Sequence, residues 1–182
     1  MDVYLVRHGE AAASWGQSAD PGLSELGEQQ AEDAAQSLHP DMQEQVTLVS
    51  SPLARAQETA QPLARLLQKE VAVDPVFREI PSPVPLAERQ DWLKQFMQQQ
   101  WAEQGEDLQQ WRREAYTTLA QRTAPTVVFT HFLVINAVVG AITQRPETLC
   151  CYPDNGSITH IRSNGGELEL VELGRQMQTR VN

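Results

Sequence analysis

Five side chains in this sequence of 182 residues are suited to handling a phosphoryl group: Arg7, His8, Arg55, Glu79 and His131. A neutral imidazole is a good nucleophile toward phosphorus, and the phosphoimidazole it forms is labile enough to hydrolyse or pass its phosphate on. Such a histidine must be unprotonated on its attacking nitrogen, and neighbouring cations are expected to help by disfavouring imidazolium. Arg7 and Arg55 offer planar forks that match phosphate oxygens and the charge spread over them during transfer. His131 can supply a further charged hydrogen bond. Glu79 can protonate a leaving oxygen and then deprotonate an attacking water, provided burial raises its pKa so that it starts as the acid.

These residues need a scaffold that brings them together. Asp2 to Arg7, Val46 to Ser50, Val71 to Asp74 and Thr126 to Thr130 are short, rich in β-branched residues and bounded by turn signals, and they read as strands. Helical patterns lie between them. Ser24 to Leu38 opens on a good N-cap. Ser51 to Lys69 has Ser51 as its expected N-cap and Pro52 at the first helical position. Phe132 to Thr143 follows the fourth strand directly. The alternation predicts an α/β fold, a three-layer sandwich with a mostly parallel sheet and helices on both faces.

In such a sheet, ligands bind outside the carboxyl ends of the strands. Arg7-His8 ends the first strand, Ser50-Ser51 the second with Arg55 one turn into the next helix, Glu79 follows the third, and His131 ends the fourth. Four separate strand ends therefore deliver two histidines, two arginines and a carboxylate to one edge. Helix starts at Pro52 and Phe132 are expected to add partial positive charge there.

The remainder is one domain, 1–182, with a small helical insert over 81–123. Pro81, Pro83 and Pro85 make a rigid connector. Two helices then follow, split near Gly105, the first carrying Leu93, Met97 and Trp101 in one row and the second Leu108, Trp111, Ala115 and Leu119. Trp92, Trp101 and Trp111 either line a substrate pocket or, as such stripes more often do, form core. Ser157 to Arg162 and Glu167 to Leu173, joined through Asn164-Gly165-Gly166, read as a hairpin.

A net charge of −10 argues against nucleic acid and anionic membranes as partners, both of which need a basic face. The start, Met1-Asp2, lacks a basic n-region, and Val3 to Val6 is too short for a signal segment. Thr130, His131 and Asn136 interrupt the longest apolar window, so no membrane span is expected. Cys150 and Cys151 are adjacent and read as reduced thiols. The expectation is a cytoplasmic protein whose partner is a small phosphorylated substrate, with oligomeric state unread.

Leu5-Val6-Arg7-His8-Gly9-Glu10, Gly22 to Gly27, Ser50 to Ala60 and Val127 to His131 together resemble the signature blocks of the histidine phosphatase superfamily, the group that includes cofactor-dependent phosphoglycerate mutases. The resemblance implies a phosphate pocket of Arg7, His8, Arg55 and His131, transient phosphorylation of His8, Glu79 as proton donor, and no metal or other cofactor. It also suggests Ser14 as a polar substrate contact. Phe132 stands where many relatives have glycine, which implies an apolar, narrower wall, and Ile80-Pro81-Ser82-Pro83 departs from the glycine-containing segment usual after the acid.

Structural readings stand beside these. Arg55 could pair with Glu58 on its own helix, and Glu79 with Arg78 or Arg89. His39 and His160 read as bystanders. Glu25, Glu28, Glu32 and Asp33 read as a solvated helix face rather than a metal site. The leading expectation is a phosphatase acting on a small phosphomonoester. A mutase is the alternative, although mutases carry a C-terminal tail over the site and this chain stops soon after its hairpin. A phosphohistidine protein phosphatase and a noncatalytic phosphate-binding module complete the set.

Overall fold

A computed structural model describes residues 1–13 and 19–178. Its six strands are β1 (Asp2–Arg7), β2 (Thr47–Ser50), β3 (Val71–Val73), β4 (Thr126–Thr130), β5 (Ile158–Asn164) and β6 (Glu167–Glu172). Five α-helices are interleaved with them: α1 (Glu25–Leu38), α2 (Ala54–Leu67), α3 (Arg89–Phe96), α4 (Glu106–Ala120) and α5 (Phe132–Ile142). The strands form one sheet in the order β3-β2-β4-β1-β5-β6. The first four run parallel, β5 pairs antiparallel with β1, and β6 pairs antiparallel with β5.

From β1 to β3 the chain steps toward one edge of the sheet, and from β3 to β4 it steps back. Right-handed crossovers then place α1 and α2 on one face and the helices before β4 on the other. The side chains alternate to match. Leu5, Val49 and Val128 pack with α4 and α5, whereas Val6, Leu48, Val127 and Phe129 pack with α1 and α2. Because β4 is covered on both faces, all five of its residues are buried, which is why it reads as a continuous apolar run. Helix α5 is apolar nearly all round, and Leu133 to Gly140 are all buried between the sheet and the insert. No helix among the described residues is long and apolar enough to cross a membrane.

The insert has a core of its own. Ile80, Phe96, Trp101 and Leu108 pack on Leu133 and Ala137 of α5. Of the three tryptophans, Trp101 is 4 % exposed, Trp92 stacks on Phe96, and Trp111 donates to the Arg78 carbonyl at 3.1 Å. The core reading is the one that fits.

Three local expectations change. Ser51 is not a helix N-cap: α2 begins at Ala54 with Leu53 as its cap, and the Ser51 hydroxyl is occupied elsewhere. The row Leu93-Met97-Trp101 does not continue one helix, because α3 stops at Phe96. Backbone pairing competes there: Trp101 N donates to the Pro146 carbonyl and Thr148 N to the Gln99 carbonyl. Trp101 still reaches the same cluster by another route. Finally, Asn164 belongs to β5, and the turn is Gly165-Gly166 alone, with φ of 61° and 99°. A two-residue hairpin turn with both central φ angles positive favours glycine at each.

Candidate active site

The sheet order makes the site. β1 and β4 are neighbours in parallel register, Arg7 opposite Thr130, so the residues that follow them, His8 and His131, emerge side by side. Their ring centroids lie 5.3 Å apart at 62°. β2 flanks β4 on its other side, with Ser50 opposite Phe129, and this sets Ser51 against His131.

His8 is 8 % exposed, and both its ring nitrogens have partners. Nδ1 lies 2.7 Å from the Gly9 carbonyl, which can only accept, so Nδ1 carries the proton. Arg55 Nε, which can only donate, lies 3.2 Å from Nε2. Two independent bonds therefore give one tautomer with the lone pair on Nε2. The ring's pKa is pushed down to about 3, chiefly by burial, with Arg55 and Arg7 adding to the effect and the Gly9 bond opposing it. The neutral nucleophile owes more to desolvation than to the cations named above.

The loop carrying His8 is clamped from both sides. Gly9 N donates to Thr59 Oγ1 at 3.0 Å, and that hydroxyl donates to the Arg55 carbonyl at 2.6 Å. Asn155 Nδ2 donates to the His8 carbonyl at 3.1 Å. A Cβ on Gly9 would collide with the Gly27 carbonyl, and one on Gly27 with the Glu10 carbonyl. The glycines of two separated blocks are thus one feature, the bare contact between this loop and the first turn of α1. Ser24 caps that turn, accepting from Gly27 N at 3.0 Å.

His131 is fully buried. Its Nε2 lies 2.7 Å from Ser51 Oγ, and its Nδ1 has no partner among the described residues. Ser51 Oγ also accepts from Leu53 N at 3.2 Å and keeps one proton and one lone pair for His131; the tautomer in which Ser51 donates to Nε2 leaves Nδ1–H as a spare donor. Burial holds the His131 pKa well below normal, with His8, Arg55, Arg7 and Arg78 contributing. Burial thus favours the neutral form of the ring in the free protein.

Arg7 is held in place by its Nη1, which donates to the Pro153 carbonyl at 3.0 Å and contacts Met177 Sδ at 3.3 Å. Its guanidinium sits 5.1 Å over the Phe132 ring, which makes Phe132 an apolar wall as its residue type predicts. Met177 lies beyond the hairpin. Its N donates to the Tyr152 carbonyl, and Arg175 Nε donates to Asp154 Oδ2 at 3.0 Å. The segment after β6 therefore folds back to the site, contrary to the expectation from the short end of the chain.

Glu79 Oε1 accepts from its neighbour Ile80 N at 3.0 Å, and Oε2 accepts from Leu133 N at 3.4 Å. Burial raises its pKa, and these bonds, Arg55 and Arg89 oppose the rise. Thr130 Oγ1 donates to the Phe77 carbonyl at 2.8 Å and so ties the segment before Glu79 to the end of β4. Arg89 Nη2 donates to the Ile80 carbonyl at 2.9 Å. The helix starts are also spent on protein carboxylates: Leu133 N on Glu79, and Ala54 N on Asp20 Oδ1 at 2.8 Å.

The structure thus gathers Arg7, His8, Arg55, Glu79 and His131 around one cavity of about 1110 Å³, whose open surface His131 does not reach. Ser14 lies outside the described residues. Thr59 and Asn155 join the site without a sequence signal, and Ser51, expected as a helix cap, joins it through His131. His160 sits away from it, bonded to Asp2 at 2.9 Å and stacked on Tyr4, and His39 caps the end of α1. Glu58 turns from Arg55 to the Leu23 N–H, and Glu32 pairs with Arg65. Among the described residues no group of three or more His, Cys, Asp or Glu is placed to hold a metal.

A family model for the histidine phosphatase superfamily (branch 1) matches residues 3–176, and the chain belongs to that family. Among solved structures it is similar to the phosphoserine phosphatase of Entamoeba histolytica in complex with 3-phosphoglyceric acid, with a TM-score of 0.73 at 23 % identity over 96 % of this chain and 97 % of that one. It is also similar to a mycobacterial glucosyl-3-phosphoglycerate phosphatase in complex with VO3, with a TM-score of 0.69 at 24 % identity over 96 % and 99 %. No curated protein matches. At these identities the neighbours establish the fold.

Proposed function

We propose that this protein is a phosphatase that hydrolyses a small phosphomonoester through a phosphohistidine on His8. The observation that carries the reading is the pair of hydrogen bonds that leaves the His8 lone pair on Nε2, at the end of β1 and beside two arginines. In the first step Nε2 attacks phosphorus and the bond to the ester oxygen breaks. Arg55 transfers its hydrogen bond from Nε2 to a phosphate oxygen as that lone pair is used. Nδ1–H, held on the Gly9 carbonyl, stabilises the charge gained by the ring. Glu79, whose pKa burial raises, gives its proton to the departing alcohol oxygen. In the second step Glu79 takes a proton from water as the water attacks phosphorus, the P–N bond breaks, and inorganic phosphate leaves. Arg7 and the spare Nδ1–H of His131 complete the phosphate's partners, with no metal assigned to any step.

Rapid-quench trapping of the phosphoenzyme during turnover of an aryl phosphate tests the proposal. An acid-labile, base-stable phosphate on His8 is expected, and hydrolysis by His8→Ala at the wild-type rate would refute it. Met177 over Arg7 favours a second reading, a mutase that shelters its phosphoenzyme. A phospho-His8 that outlives many turnovers in water would decide for the mutase, and decay within one turnover for the phosphatase.

A further inference from the structure

The phosphate end of the cavity accounts for a small part of its wall. At about 1110 Å³ it is slightly larger than the ~300–1,000 Å³ usual for small-molecule pockets, whereas a phosphoryl group and a three-carbon acid would fill only a fraction of it. Beyond Arg7, His8 and Arg55 the lining is mainly apolar. Ile80, Leu93 and Met97 come from the connector and insert, Phe132 and Leu133 from the start of α5, and Leu149 from the loop after it.

A second observation points the same way. Most large apolar side chains of a folded domain find cover, yet Leu86, Tyr152 and Met177 are 65, 41 and 40 % exposed and all three line this one cavity. Two cations also reach the wall, Arg78 and Arg89. Arg89 is committed to the Ile80 carbonyl and lies beside Glu79, and Arg78 is at the exposed margin. Glu10, Asp20, Ser82 and Asn155 are the other polar residues of this wall, and carbon makes up most of the rest, so much of a hydroxy-acid leaving group would lie against carbon at a desolvation cost.

We infer that the alcohol released from this site is apolar, so that the substrates are aryl or medium-chain alkyl phosphates rather than phosphorylated hydroxy acids. The inference rests on the phosphatase reading and adds the class of leaving group. An apolar alcohol would cover Leu86, Tyr152 and Met177 and exclude water from the reacting phosphorus.

The test is kcat/KM for ethyl, butyl, hexyl and phenyl phosphate and for 3-phosphoglycerate, with wild type and with Leu86→Gln and Leu93→Gln. Full burial of a methylene corresponds to about fourfold (~0.8 kcal/mol). Half-covered walls give about twofold per methylene, or roughly tenfold or more from ethyl to hexyl. Both variants are expected to cut the hexyl-to-ethyl ratio severalfold, and Leu86, being exposed, can be changed without disturbing the core. A flat series, a ratio unmoved in both variants, or 3-phosphoglycerate outrunning hexyl phosphate would overturn the inference while leaving the phosphatase intact. Failure to hydrolyse any ester would remove both.

Discussion

The strand-end cluster and the insert-side wall of the cavity are built on opposite principles. His8, Arg55 and His131 are 8, 6 and 0 % exposed, and His8 and His131 are each oriented by hydrogen bonds to residues on other elements or the adjoining loop. Burying such groups is costly unless they are paired, and the central strands spread that cost over a rigid frame. Among the described residues, the apolar side chains of the wall from Leu86 to Met97 offer surface rather than hydrogen bonds, and Leu86 is left largely in water. Transition-state stabilisation demands fixed dipoles, whereas recognition of an apolar group needs little more than surface. Substitutions in the first region should therefore slow all substrates alike, and those in the second should change only their ranking.

The largest effect is expected at the nucleophile. His8→Ala should lower kcat by about 10⁴-fold or more for every phosphate ester, measured by steady-state release of inorganic phosphate. A loss confined to some substrates would break the division between the two regions. Glu79→Gln comes next, with a loss of about 10²–10³-fold, greatest for esters of poorly acidic alcohols and least for aryl esters with good leaving groups.

The pH dependence sharpens the Glu79 assignment. Activity requires His8 neutral, a condition met above a pKa of about 3, and Glu79 protonated, a condition lost as pH climbs through its raised pKa. Wild-type kcat/KM should therefore fall on the alkaline side, and Glu79→Gln should abolish that fall. Substrate ionisation near pH 6 is common to both proteins, so the difference between their profiles isolates the carboxyl. Folding stability moves the other way on the acid side. The unfolded chain protonates His8 near its ordinary pKa while the folded chain resists down to about 3, so stability should fall as pH drops through that window. Thermal melts from pH 7 to 4 should show a shallower decline for His8→Asn.

A middle-ranked effect tests the frame beneath the cluster. Gly9→Ala sets a methyl against the Gly27 carbonyl, backbone that cannot give way without moving α1. A loss of about 2–3 kcal/mol in urea unfolding is expected, together with lower activity on all substrates.

The contrast between the two regions also decides what was legible in the sequence. β1 and β4 have the predicted bounds because strands covered on both faces are continuous apolar runs, and α1 because Ser24 caps it. The convergence of Arg7, His8, Arg55, Glu79 and His131 followed from placing each at a strand's carboxyl end or in the segment just after it. Ser51 was misread because Ser-Pro before a helical pattern looks the same whether the hydroxyl caps the helix or turns to His131. Only the pairing of β2 with β4 distinguishes the two. The return of Met177 was invisible for a similar reason: it depends on backbone bonds to Tyr152, which leave no trace in the local side-chain pattern. The row Leu93-Met97-Trp101 kept helical spacing while Pro146 and Thr148, far along the chain, took its backbone away.

The smallest expected effect probes Ser51 most closely. Its hydroxyl touches neither the cavity nor any reacting atom, so it can act on catalysis only through His131. In the tautomer in which it donates to Nε2, it keeps the proton of the neutral ring on Nδ1. Ser51→Ala removes that preference and leaves Nε2 buried without a partner. A fraction of the rings should then carry the proton on Nε2, with an acceptor turned toward the phosphate. If half of them do so, the direct loss is only about twofold, and looser ring placement should extend it to roughly tenfold. Activity alone does not distinguish this from simple loosening of β2. The nitrogen chemical shifts of His131 do, because they report which ring nitrogen holds the proton. Pure Nδ1–H in the wild type and a mixture in Ser51→Ala are expected, with Ser51→Thr restoring both the tautomer and the rate. An unchanged tautomer in Ser51→Ala would reduce Ser51 to a packing residue.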